Sequence, residues 1–239
     1  MVLVPFNCRP SPLKLEPDGT YNSTSVENLP AVREEPYAPS EPNTTAWALL
    51  RYQKGDRSKA EEFWNEVGRK SYQNLKESLK TNDEMKVAGA AAIAGAKDSE
   101  AKAIALVALV RKRVRNIEDP DMTEAEREKY IKDLPKDRRR NAVEAFQSGL
   151  GDSHDMNVVF AALAQQAGLE VRPARLSNRT EYTFHPASTV DEYFLHNFDI
   201  AVKVGETWKL FDASTKLLDR KSTRLNSSHI QKSRMPSSA

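Results

Sequence analysis

The run Gly149-Leu150-Gly151-Asp152-Ser153-His154-Asp155 feeds directly into the apolar stretch from Met156 to Ala167. Two glycines make a tight turn, and the stretch behind them is long enough for a buried helix, so Ser153 falls on that helix's first turn. Backbone N–H groups at such an end lack intrahelical partners and carry partial positive charge, which suits an anion or a nucleophile of lowered pKa. The side chain present is a hydroxyl, essentially un-ionised near neutral pH without a strong base. These residues also read as a cap: Ser153 or Asp152 can close the helix end, with Asp155 completing a capping-box-like pair. His154 is no ready base for Ser153, because neighbours on a helix point about 100° apart. It reads as a partly exposed first-turn residue, and His185, beside Pro186, as a loop histidine. His154, His185 and His196 show no metal-ligand spacing, so no zinc and no cofactor is expected.

The elements that must position this segment are legible on both sides of it. Residues 1–55 are rich in Pro, Thr, Ser and Asn, with candidate strands at 13–15, 21–26 and 46–52 and a hairpin step at Asp18-Gly19. Fewer than about 60 residues would struggle to close a core alone, so they read as the C-terminal remnant of an N-terminal β domain. Within them, residues 27–36 are extended and Pro-bounded, an edge or linker. Residues 56–96 read as a helical connector, with Asp56 as a cap, Phe63, Trp64, Val67, Tyr72 and Leu75 near helical spacing, and an Ala-rich helix over 85–96.

Residues 97–218 carry the core. Asp98 caps an amphipathic helix bearing Ala103, Ile104, Val107, Val110 and Val114, and the cations Arg111 to Arg115 suit its negative end. Residues 124–134 form a charged surface helix and 142–146 a short one. The central helix, 154–167, stops at Gly168. Strands follow at 171–176, 198–204 and 208–212, the last two joined by a turn at Gly205-Glu206, with a polar loop over 178–189. A central helix that is apolar nearly all round is buried on several sides. Together with an antiparallel sheet it makes the fold α+β.

Composition narrows the classes. Hydrophobic residues at 39% and charged residues at 29% suit a globular chain with a real core. No apolar run approaches the roughly 20 residues of a spanning helix. Residues 1–6 lack the basic start of a signal peptide, and a lone Cys8 excludes an internal disulfide framework. From Asp219 the chain loses all periodicity and looks like a translated sequencing adapter, so residues 219–239 are expected to be a non-native tail. That tail holds five Lys/Arg against one Asp; without it the net charge of +2 becomes −2. The basic balance is therefore no argument for nucleic acid.

Taken together, these stretches resemble the transglutaminase-like superfamily, which shares the papain-like fold. Its pattern is Gly-Asp-Cys-x-Asp before an apolar helix ending Ala-Gly, then a strand carrying Arg, a strand opening with His, and a Trp-x-x-x-Asp strand. The matching residues are Gly151-Asp152-Ser153-His154-Asp155, Ala167-Gly168 through Arg172 and Arg175, His196-Asn197-Phe198-Asp199-Ile200, and Trp208 to Asp212. The preceding helix, 101–116, and residues 28–37 resemble the family's neighbouring segments, the latter the end of a β domain of unknown function. The likeness covers nearly everything before Asp219.

The resemblance implies acyl transfer, with a thiolate as nucleophile, a histidine as proton carrier and an aspartate that orients it. Two positions depart from the pattern. Ser153 stands at the Cys position, and Asn197 falls at the His position with His196 one place earlier. Strand alternation puts His196 on the face of Phe198, Ile200 and Val202, toward the core, and Asn197 with Asp199 and Ala201. Asp212 keeps its place, although it also reads as an Asx turn before Ala213-Ser214-Thr215. Arg172 and Arg175 read as partners of carboxylates on the sheet edge. The expectation is a catalytically silent domain that binds or scaffolds peptide or cell-envelope material. The alternative is a serine-dependent amide or ester hydrolase, or an acyltransferase, using Ser153, His196 and Asp212; a third is an interaction module with a closed cleft. By likeness, the protein is expected to be bacterial and exported, its signal peptide missing.

Overall fold

The computed structural model describes residues 2–17, 19, 21–31, 39–51, 59–178 and 181–215. Asp18, most of the stretch toward Tyr37, Asp56 and the tail from Asp219 lie outside the described residues. The chain gathers into two compact units, Met1–Asn65 with Ser177–His196, and Glu66–Leu176 with the described residues from Asn197.

In the first unit, β1 (Val2–Phe6) pairs antiparallel with β4 (Trp47–Arg51). Between them lie a short hairpin, β2 (Lys14–Leu15) with β3 (Asn22–Ser23), and a single helical turn, α1 (Glu41–Thr44). The strand β1 is additional to the sequence reading; its Pro5 sits in a two-stranded ribbon, where a missing N–H costs little. The core here is aromatic. Phe6 stacks on Trp47 at 4.2 Å, and both rings lie near Phe194, at 5.5 and 6.1 Å. Phe194 closes a 3-10 turn, Glu192–Phe194, capped by the Asp191 carboxylate, which accepts from the Tyr193 N–H at 3.0 Å. Polar bonds join the same segments: the Ser40 hydroxyl donates to the Glu181 carbonyl at 2.6 Å, and the Thr183 N–H to Asn43 Oδ1 at 2.8 Å. Edge-to-face and offset pairs such as these each add about 0.5–1.5 kcal/mol beyond the area they bury.

The second unit is built around one helix. In chain order its elements are α2 (Ala60–Ser78, whose start belongs to the first unit), α3 (Asp83–Ile93), α4 (Ser99–Arg113), β5 (Arg115–Asn116), α5 (Glu124–Lys132) and α6 (Ala142–Ser148). There follow β6 (Leu150–Gly151), α7 (Ser153–Gln166), β7 (Val171–Leu176), β8 (Asn197–Val204) and β9 (Thr207–Phe211). Strands β7, β8 and β9 form an antiparallel sheet in that order, with β8 central. Strands β5 and β6 pair in parallel. Helices packed on small, mostly antiparallel sheets make the fold α+β.

Helix α7 is buried on every side. Met156, Val158, Val159, Phe160, Ala161, Ala162, Leu163 and Ala164 all belong to the core, with Leu106, Val107 and Val110 of α4, Phe146 of α6, and Ile200 and Val202 of β8. Each large side chain removed from water here contributes roughly 1.5–3 kcal/mol. The Asp98 carboxylate caps α4, accepting the Ala101 N–H at 2.8 Å. The buried stripe of α4 runs through Ala103, Leu106, Val107 and Val110, whereas Ile104 is exposed. At about 100° per residue, Ile104 lies off the centre of that stripe. Tyr72 of α2 is likewise exposed, while Val67 and Leu75 are buried.

Two glycines shape the approach to α7, each for its own reason. Gly149, with φ 70°, ends α6 in the left-handed conformation that a side chain disfavours. Gly151 has ordinary backbone angles, but a Cβ there would stand 2.9 Å from that of Asp155 and 3.0 Å from Val114. It is needed for close approach rather than for turning.

Candidate functional site

Asp152 is the N-cap of α7: its extended backbone precedes the helix, and its Oδ1 accepts the Asp155 N–H at 2.7 Å. Ser153 is then the first helical residue, and its hydroxyl stays free of capping duty. It donates instead to Glu118 Oε2 at 2.6 Å, a carboxylate on the loop after β5. Hydrogen bonds from the β5–β6 backbone hold that loop: the Arg115 N–H donates to the Gly149 carbonyl at 2.9 Å and the Ile117 N–H to that of Gly151 at 3.0 Å. A carboxylate beside the positive end of a helix is well placed electrostatically.

Asp155 is no capping-box partner. Its carboxylate turns into the interior, where Oδ2 accepts from Arg140 Nη2 at 2.6 Å and from the Tyr130 hydroxyl at 3.2 Å. The Asp152 carboxylate already caps the helix, so the Asp155 carboxylate is released for this buried network.

One turn along α7 from Ser153 stands Asn157, four residues on and hence on the same helix face. Its Nδ2 donates to the Phe198 carbonyl at 2.7 Å and to Asp212 Oδ1 at 3.2 Å, and its Oδ1 accepts the Ala213 N–H at 2.7 Å. This single side chain ties α7 to the start of β8 and the end of β9. Asp212 also accepts the Ser214 N–H at 2.9 Å and the Ser214 hydroxyl at 2.6 Å, together with the Thr215 hydroxyl. The Asx turn is present, and the carboxylate also faces α7. Burial pushes the Asp212 carboxyl up, but the hydrogen bonds from Ser214, Thr215 and Asn157 outweigh it and hold it below the usual range.

Asp199 has the opposite environment. Ile200 pairs with Phe211 as the last β8–β9 pair, and Asp199 and Asp212 are the residues that adjoin it on either strand. Asp199 is buried, and among the described residues nothing hydrogen-bonds its carboxylate. Burial first, and then the charge of Asp212, push its carboxyl up to about 7. At neutral pH the pair therefore holds one firmly ionised acid beside one poised to give or take a proton.

The remaining histidines behave differently from a catalytic base. His154 packs its ring on Phe198 at 4.5 Å. Burial, then the positive charges of Arg139 and Arg175, push it down to about 4 against the pull of Asp152, so it is neutral. His196 belongs to the first unit and is exposed, its ring 5.8 Å from Tyr182 and 5.7 Å from Tyr193. Alternation placed it toward the core. The alternation does not reach it, because β8 begins at Asn197 and Leu195, with ψ 81°, is not extended. Asn197 opens β8 opposite Leu176 and is exposed. His185 is an exposed loop residue. Arg172 pairs with Glu170 at 3.1 Å and lies over the Trp208 ring at 4.4 Å. Among the described residues no three His, Cys, Asp or Glu side chains gather as a metal site.

Two groups central to this geometry, Glu118 and Asn157, were not singled out from the sequence. Asn157 carried a signal: a polar residue inside an otherwise apolar helix must find partners. Glu118 carried none. No family model matches the chain, and no curated protein and no solved structure matches it.

Proposed function

We propose that this chain is a transglutaminase-like domain with a papain-like core that has lost acyl-transfer chemistry and serves as a binding or scaffolding module, for peptide or cell-envelope material. The arrangement that favours the reading is a buried helix whose N-terminus carries the nucleophile position, an antiparallel sheet packed on it, and Asp212 at the end of a strand. The observation that carries the loss of chemistry is the bond from Ser153 to Glu118. A hydroxyl has one proton, and this one is held by a carboxylate, a poor base toward an alcohol. His154, the histidine next in the chain, is turned onto Phe198.

The test is a thiol at position 153. Glu118 would oppose ionisation of a cysteine there and the helix end would favour it, so Ser153→Cys is compared with Ser153→Cys/Glu118→Gln. In the double variant, the expected result is a thiol that alkylates faster near pH 6 than Cys8 does. A thiol no more reactive than Cys8 would remove the helix-end site. The alternative hydrolase using Ser153, His196 and Asp212 predicts a covalent acyl adduct on Ser153 of the unaltered protein with an activated ester; such an adduct would overturn the silent reading.

A further inference from the structure

The first unit contains a cavity of about 240 Å³ lined by Glu41, Pro42, Thr45, Trp47, Tyr182 and Tyr193. That is below the usual size of a pocket for a drug-sized ligand, and suits a compact headgroup. Its chemistry is set by which groups are already engaged. The Trp47 indole N–H donates to the Pro42 carbonyl at 2.8 Å, and the Thr45 hydroxyl to the Glu41 carbonyl at 2.7 Å. The Tyr182 and Tyr193 hydroxyls bond to each other at 3.2 Å, leaving one O–H between them. Three aromatic faces and a carboxylate remain. Phe6 covers one face of Trp47, so only the other can meet a ligand. Tyr182 and Tyr193 stand 6.1 and 6.2 Å from Trp47, and Tyr193 is 42% exposed, so the ring faces are reachable from solvent. The Glu41 carboxylate is exposed and has no ion-pair or hydrogen-bond partner among the described residues. No lining residue is cationic.

We infer that this cavity binds a quaternary ammonium group, seated on the Trp47, Tyr182 and Tyr193 rings with Glu41 as its counter-charge. A cation that donates no hydrogen bonds needs nothing that this lining lacks, since ring quadrupoles and one carboxylate attract it directly. A sugar would find only one donor, the O–H left between Tyr182 and Tyr193, and an anion would meet Glu41. The site is independent of any chemistry at Ser153.

The experiment titrates the full chain with choline and with 3,3-dimethylbutanol, its uncharged carbon isostere, following the Trp47 indole N–H by NMR. Choline is expected to shift that signal and to bind at least about tenfold more tightly than the isostere. Glu41→Gln and Tyr193→Ala alter exposed side chains, and each should weaken choline several-fold while the rest of the spectrum is preserved. Phosphocholine and a trimethyllysine peptide, run alongside, tell a lipid or envelope headgroup from a modified protein chain. Equal binding of choline and the isostere would overturn the inference. So would a response to methyl glucoside with none to choline, or no shift at all at tens of millimolar choline.

Discussion

Two buried aspartates in the second unit show how differently the same group can be treated. Asp155 and Asp199 are each almost inaccessible, each lies near a second aspartate, and each has its carboxyl pushed upward chiefly by burial. Around Asp155 the fold supplies compensation: the Arg140 guanidinium at 2.6 Å, the Tyr130 hydroxyl, and a cation–π contact of Arg140 over the Tyr130 ring at 4.5 Å. Arg140 Nη2 also donates to the Leu150 carbonyl at 2.8 Å, so the network ties α5, β6 and α7 together. Around Asp199 there is no such answer. Of the two carboxylates at that end of the sheet, Asp212 takes the hydrogen bonds from Asn157, Ser214 and Thr215, and Asp199 is left to hold its proton. Asp155 is a fastener, whereas Asp199 carries an electrostatic load beside the candidate site.

The largest effect should come from breaking the compensated region. Arg140→Ala leaves the Asp155 carboxylate buried without its cation and should cost about 3–5 kcal/mol in chemical denaturation at neutral pH. A loss below 1 kcal/mol would mean that Asp155 is solvated or protonated there, and the contrast would fail.

The uncompensated region should respond in the opposite sense. Folded Asp199 keeps its proton up to about pH 7, while the unfolded chain releases it near 3.8. The folded state thus binds more protons between those values, and the contribution of this group to stability falls as pH rises from about 4 to 7. Asp199→Asn should remove that decline and stabilise the protein at pH 8 by about 2 kcal/mol, within a ceiling of ~4 set by the shift. Parallel pH–stability curves for the two proteins would show instead that Asp199 titrates normally.

A smaller effect sharpens the comparison on the acid side. His154 is neutral when folded down to about pH 4 but charges near 6.5 when unfolded. Its contribution is complete above pH 6.5 and is lost as pH falls from there to about 4. His154→Phe, which keeps a ring against Phe198, should recover about 1–2 kcal/mol at pH 4.5 and change little at pH 7.5. Recovery of equal size at both pH values would point to better packing rather than to the imidazole.

Much of the local structure was readable because its causes are local. Asp98 and Gly149 mark helix ends through their own side chain and backbone freedom, and the apolar run 156–164 could satisfy itself only as a buried helix. Strands β7, β8 and β9 were legible too, the last two through the turn at Gly205 that joins them. Even the position of Ser153 on the first turn of α7 was legible, because the turn and the apolar run fix it between them.

Partner choice across the chain was beyond that reach. Glu118 lies 35 residues before the hydroxyl it accepts from, and nothing in either local sequence announces the other. Asn157 could be seen to need partners, while the identity of Phe198, Asp212 and Ala213 as those partners depended on how β8 and β9 pack on α7. Residues 178–189 read as a polar loop, yet Tyr182 and Phe184 within it, with Tyr193 and Phe194 just beyond, complete an aromatic core with Phe6, Trp47 and Trp64. Sequence alone determined the main helices and the strands β7, β8 and β9, since periodicity, capping and turns act over a few residues, but neither β1 nor the exposure of Ile104 and Tyr72. Tertiary structure alone decided which polar groups are paired and which, like Asp199, are left to change their charge, because desolvation and Coulomb energies depend on what long-range packing brings alongside.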